Sequence, residues 1–292
     1  MKFRIHNFIF LLLICMLYAC EQPYLIDDSA SSGSPADNPN GNLTVSVFSI
    51  EQTPFSEITR TAPADACTRL NFAIYDASGS KAKQINQTSA EADFGTASFQ
   101  LEEGTYRLVV VAHSSNGNPS MTDLTKIQFT NAQGYSDTFL YSENITVGSE
   151  PQNLSVSLNR IVALCRFVIT DDIPATVAKM RFYYTGGSGA FNAVTGFGSV
   201  NSKQDVKFDV ASSQKQFDLY TFLHDIEGTI HLTVSALDAS GVEITQHEFE
   251  VPLEKNQISW LSGDFFGRGA SQSSSVGVDI NTKWDGETHY TY

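Results

Sequence analysis

The chain has 292 residues, with 18 Lys and Arg against 32 Asp and Glu, a formal net charge of −14, 41% hydrophobic and only 17% charged residues. So acidic a chain is repelled by phosphate backbones, which excludes nucleic acid as a partner. The apolar content is ample for real cores, and the length allows about two domains of ordinary size.

The chain opens MKFRIHNFIFLLLICMLYACEQPY, with Lys2 and Arg4 ahead of an apolar run from Phe8 to Leu17. A spanning helix needs roughly 20 apolar residues and an export signal about 7–15, so the run reads as an export signal. Leu17-Tyr18-Ala19-Cys20 resembles the lipobox of bacterial lipoproteins, with Tyr18 bulkier than usual at its position. That resemblance implies removal of residues 1–19 and acylation of the Cys20 sulfur. A plain signal peptide cleaved nearby is the alternative, and Cys15 reads as a small hydrophobe lost with the signal. Losing Lys2 and Arg4 leaves 16 basic against 32 acidic residues, a net charge of −16. Such a chain does not adsorb to anionic lipid, so a covalent lipid is the natural way to hold it at a membrane. Residues 20–42 are rich in Ser, Pro, Asn, Asp and Gly without periodicity, and read as a flexible tether. Within it, Asp28-Ser29-Ala30 is similar to an O-glycosylation pattern of some Gram-negative anaerobes, with Ser29 as acceptor; plain linker chemistry is the alternative.

From residue 43 strand follows strand. LTVSVFSI (43–50) puts Leu43, Val45 and Val47 on one face. RLNFAIYDASGSKAKQI (69–85) reads as a hairpin turning at Asp76–Gly79, and TASFQLEEGTYRLVVVAHS (96–114) as a second hairpin turning at Glu102–Gly104. Further strands are expected in 153–170, 178–185, 215–223, 229–251, 257–262 and 276–284. Short strands at this spacing argue for β-sandwiches, and the predicted class is all-β. The long run through Asn159-Arg160 lacks a turn signal, so the division between an N-terminal sandwich (43–157) and a C-terminal one (158–292) is expected there, one strand feeding into the next.

No catalytic constellation emerges. His113, His224, His231, His247 and His289 lack metal-ligand spacing. In LHDIEG (223–228) a polar loop is the commoner explanation than a cation site. Asp-Ala-Ser-Gly at 76–79 and 238–241 fits a hairpin turn, Asp bonding locally and Gly supplying positive φ. There is no Gly-x-Ser-x-Gly elbow, and Gly186-Gly187-Ser188-Gly189 lacks the Lys of a phosphate-binding loop. Cys67 and Cys165 lie in different halves; a disulfide is allowed, and a buried thiol is the duller explanation. No enzyme, cofactor or metal is implied.

FAIYDASG (72–79), LEEGTYRLVVVAHS (101–114), VPLEKNQISWLSGDFFG (251–267) and VGVDINTKWDGE (276–287), in this order behind a lipobox and an acidic tether, resemble fimbrillin-like subunits of type V pili of Gram-negative anaerobes. The likeness covers essentially the whole mature chain and is greatest to the lipid-anchored fimbrial anchoring subunits. It implies two tandem transthyretin-like sandwiches, outer-membrane attachment through the N-terminal lipid, fimbrial subunits as partners, and assembly by strand exchange. LTVSVFSI would be the first strand, and Val276, Val278 and Ile280 would line a donor strand; an ordinary C-terminal edge strand is the alternative. Cleavage after Arg60 by a trypsin-like protease would discard the lipid and make a shaft or tip subunit, whereas an intact Arg60 leaves an anchor. A surface module binding host or bacterial glycans is the contending function, with Tyr183, Tyr184 and Phe191 as its candidate aromatics.

Overall fold

The computed structural model describes residues 41–52, 59–61, 63–130, 135–210, 214–267, 277–281 and 287–292. These residues are β almost throughout, with one four-residue helix, α1 (Pro63–Ala66). The first nine strands are β1 (Leu43–Gln52), β2 (Thr59–Thr61), β3 (Arg69–Tyr75), β4 (Lys81–Thr88), β5 (Thr96–Phe99), β6 (Gly104–His113), β7 (Ile127–Gln128), β8 (Thr138–Val147) and β9 (Gln152–Arg160). All but β7 share a sheet ordered β2-β1-β9-β8-β6-β3-β4, with β5 also on β1. Strand β8 meets β9 at two residue pairs only, Phe139↔Arg160 and Leu140↔Asn159. There the sheet folds over, and residues of both its arms, such as Val45 and Val156 with Phe72 and Val110, meet in one buried cluster.

The DASG turn at 76 joins β3 and β4 as a hairpin, as expected. The second expected hairpin is not one. Strand β5 pairs with β1, whereas β6 pairs with β3 and β8. The turn at Glu102–Gly104 therefore carries the chain from one arm of the sheet to the other, which a local turn signal cannot distinguish from a hairpin.

The remaining strands are β10 (Ala163–Ile169), β11 (Lys179–Gly187), β12 (Ala190–Asn192), β13 (Phe197–Gly198), β14 (Ser202–Asp209), β15 (Gln216–Thr221), β16 (Glu227–Leu237), β17 (Glu243–Glu254), β18 (Ile258–Gly263), β19 (Gly277–Asn281) and β20 (Glu287–Thr291). Two sheets, β15-β10-β18-β20-β19 and β14-β11-β16-β17, enclose a second core centred on Phe167, Phe182, Phe217 and Phe249. Burying each such ring contributes about 1.5–3 kcal/mol.

A third core explains why β3 and β6 are apolar without alternation. Their second face, Ala73, Tyr75, Val109 and Val111, packs against Ile161, Val162, Phe191 and Phe222. Both faces are buried, so both must be apolar. A small sheet, β13-β12-β7, crosses this junction, with Phe191 opposite Ile127. Strand β9 ends at Arg160 and β10 starts at Ala163, so only Ile161 and Val162 separate strands of different sheets. Arg160 donates both arms of its guanidinium to Asp137 at 2.7 Å, reaches Asn256 Oδ1 at 3.3 Å, and lies 4.8 Å over the Phe139 ring. This near-buried pair ties the strand before the junction to the turn before β18.

Candidate functional site: the two ends of the folded chain

The site that the sequence points to is made of strands. At the N-terminal end, the side chain of Asn42 clasps Leu101, donating to its carbonyl and accepting from its N–H, both at 2.9 Å. From there β1 runs parallel to β9 from Leu43↔Gln152 to Glu51↔Asn159, and antiparallel to β5 from Leu43↔Phe99 to Ser46↔Thr96. It is thus flanked on both sides. Leu43, Val45, Val47 and Ile50 are all buried; a bulge between Val47 and Ser49 breaks the alternation, exposes Phe48 and returns Ile50 to the core. The hydroxyls of Ser49 and Ser157 meet at 2.9 Å between the parallel strands. Arg60 lies in β2, its backbone opposite Glu51 at the end of β1. Cys20 and Ser29 fall outside the described residues.

At the C-terminal end, β20 lies parallel to β18, and β19 is the outermost strand of that sheet. Val278 is opposite Tyr290 and Ile280 opposite Thr288; Val276 falls outside the described residues. The last tyrosine works as a plug. Its ring stacks on Phe167 at 5.1 Å, its hydroxyl donates to the Val168 carbonyl at 3.0 Å, and its N–H donates to Ser262 at 3.0 Å. Glycine is required at 263, because a Cβ there would stand 2.3 Å from the Tyr292 carbonyl oxygen. On the other face, His289 stacks on Trp260 at 5.1 Å, Arg166 lies 4.9 Å over the same indole, and Asp218 holds Arg166 with two 2.7 Å bonds. Register carries this row across four strands. The loop that leaves β18 is fixed by Asp171, whose carboxylate accepts from the N–H groups of Phe265, Phe266 and Gly267 at 2.6–2.8 Å. These bonds outweigh partial burial and lower its pKa.

Other candidates resolve plainly. Tyr184 is 1% exposed and Phe191 0%, so neither can meet a glycan; each completes an apolar core, while Tyr183 is half-buried. The Gly-rich segment beside them is consumed in β11, β12 and their connection. Asp76 accepts from Ser78 and Ser80 N–H, and Asp238 from Ser240 and Val242 N–H, with Gly79 and Gly241 both at φ 82°, so both copies are turns. His224 bonds the Gly198 carbonyl at 3.0 Å, and no group of metal-ligating side chains occurs among the described residues. Cys67 and Cys165 are free, buried thiols in separate cores. Burial pushes them up, to about 11 and about 12. Among the described residues, no helix is long and apolar enough to cross a membrane.

Nothing in the sequence signals the contacts of Arg160, Asp171 and Trp260 or the burial of His113. His113 is 0% exposed; its Nδ1 accepts from Ser115 N–H at 3.1 Å, which leaves Nε2 to donate to Asn71 Oδ1 at 2.8 Å. Burial first, and the Arg69 charge second, hold it down to about 4.

The fold is that of an all-β, multi-sheet protein. The chain belongs to the family of unknown function DUF6562, which it matches over residues 35–292. No curated protein matches it. Among solved structures it is similar to a candidate adhesin from Bacteroides ovatus, at 13% identity over 74% of this chain and 84% of that one, with a TM-score of 0.48. It is also similar to the fimbrial anchor protein Mfa2 from Porphyromonas gingivalis, at 13% identity over 70% and 80% with a TM-score of 0.40. A fimbrial assembly protein from Parabacteroides distasonis is similar at 14% identity over 76% and 90%, with a TM-score of 0.40.

Proposed function

We propose that the protein is a cell-surface lipoprotein, held to the outer membrane through Cys20, that anchors or assembles a fimbrium by strand exchange and carries no enzymatic activity. The observation that carries this reading is the position of β1: it continues directly from the proposed tether yet fills an interior place in a sheet, between β9 and β5. With Arg60 intact, β1 keeps that place filled and stays joined to the lipid, so the chain serves as a base. Exchange with a neighbour then falls to the other end, where the segment around Val278 and Ile280 is the outermost strand. Backbone hydrogen bonds would supply the affinity of such an exchange and alternate side chains its register. The body is read as two sandwiches dividing near Arg160, at 43–157 and 158–292, each transthyretin-like.

Mass spectrometry of the mature N-terminus tests the assignment. A diacyl- or triacyl-modified Cys20 is the expected result. An N-terminus at Thr61 overturns the anchor and makes the chain a shaft or tip subunit, its β1 groove opened for a neighbour's strand.

A further inference from the structure

A cavity of about 420 Å³ is lined by Thr68, Arg69, Ser114, Ser115, Asn116 and Ser136, with Tyr135 at its side. None of these residues is acidic, although the chain carries 32 Asp and Glu. Among the described residues the Arg69 guanidinium makes one hydrogen bond, to Asn118 Oδ1 at 3.3 Å, and no ion pair. The serines of the wall are already fixed. Ser114 N–H donates to Ser136 Oγ at 2.8 Å, Ser136 N–H donates to Ser115 Oγ at 3.2 Å, and the two hydroxyls lie 3.0 Å apart. The loop is held from below as well, because Ser115 N–H donates to the His113 ring.

A guanidinium with donors to spare, in a pocket free of carboxylates, matches the planar fork of a carboxylate. Hydroxyl and amide groups around it match a ligand that carries hydroxyls of its own. We propose that this cavity binds a small hydroxylated carboxylate, of the chemistry of a uronic acid, with Arg69 pairing the carboxylate and the Ser114–Asn116 loop and Ser136 meeting the hydroxyls.

Calorimetric titration of the intact chain with glucuronate, glucose and acetate tests it. Glucuronate is expected to bind, acetate more weakly, and glucose not measurably. Arg69→Gln should weaken glucuronate at least about tenfold, the typical worth of one charge-assisted hydrogen bond, with an unchanged circular dichroism spectrum. Glucose binding as well as glucuronate, acetate binding as tightly as glucuronate, or no binding of glucuronate overturns the proposal, as does an unweakened R69Q. A second readout needs no variant. A bound carboxylate offsets the Arg69 charge, so saturating glucuronate should raise the His113 titration midpoint in wild type, followed by NMR; an unmoved midpoint overturns the assignment.

Discussion

The first and last described strands are both added to sheets, and they are held in opposite ways. Strand β1 is enclosed: it has a neighbour on each flank, and its apolar face is shared by two arms of one folded sheet. The C-terminal hairpin sits at a margin, β20 with a single inward neighbour, β18, and is secured by the Tyr292 plug and the His289–Trp260 stack. Removing the first opens a slot inside a sheet, whereas removing the second bares an edge and a hole in the core. An enclosed strand is suited to permanence and a marginal one to exchange.

The sharpest way to break this contrast is to charge the enclosed strand. Val45→Asp places a carboxylate where Val45 is 0% exposed and should cost more than about 4 kcal/mol, collapsing the first core in thermal unfolding. At the other end, Tyr292→Ala should cost about 2–4 kcal/mol, with the loss of hydrogen-exchange protection confined to β18 and β20 and none in β1. Equal loss in β1 would show that the two ends are one cooperative unit.

Acid provides an intermediate test. The folded pKa of His113 lies near 4 against a reference of 6.5, so the neutral ring's contribution is complete above 6.5. It is lost as pH falls through 6.5 toward 4, up to about 3 kcal/mol. The denaturant midpoint of the wild type should fall across that window, and His113→Gln should flatten the fall. Asp171 acts in the same direction at the other end: its lowered pKa stabilises above the unfolded carboxylate value and is lost as pH falls through the folded one, a loss that Asp171→Asn should remove. The smallest effect belongs to the marginal stack. His289→Ala should cost about 0.5–1.5 kcal/mol, visible as faster amide exchange in β20 alone.

Local chemistry was legible in the sequence and long-range pairing was not. The face formed by Leu43, Val45 and Val47, both Asp-Ala-Ser-Gly turns, and the strand-to-strand passage near Arg160 all follow from alternation or from turn residues. Strands β8 and β14 escaped notice. The first is polar through much of its length, and the second, SKQDVKFD, alternates charge on an edge. The inward turn of Tyr184 depends on the second core and that of Phe191 on the junction core, each assembled from residues far apart in the chain. Arg69 gave no sign at all, since an arginine opening a strand looks like a solvated charge until it is seen, among the described residues, to bond Asn118 and no carboxylate.

The parallel pairing of β1 with β9 also sets a timetable. Ser49 finds its partner Ser157 only 108 residues later in the chain. At ordinary synthesis rates of 5–20 residues per second, that is a delay of about 5–20 s. During that interval β1 has been made but cannot yet be sealed against β9 in its sheet. Any enzyme that must reach β1 in extended form therefore has a window that closes when Gln152–Asn159 arrives, and the rate of synthesis sets its length.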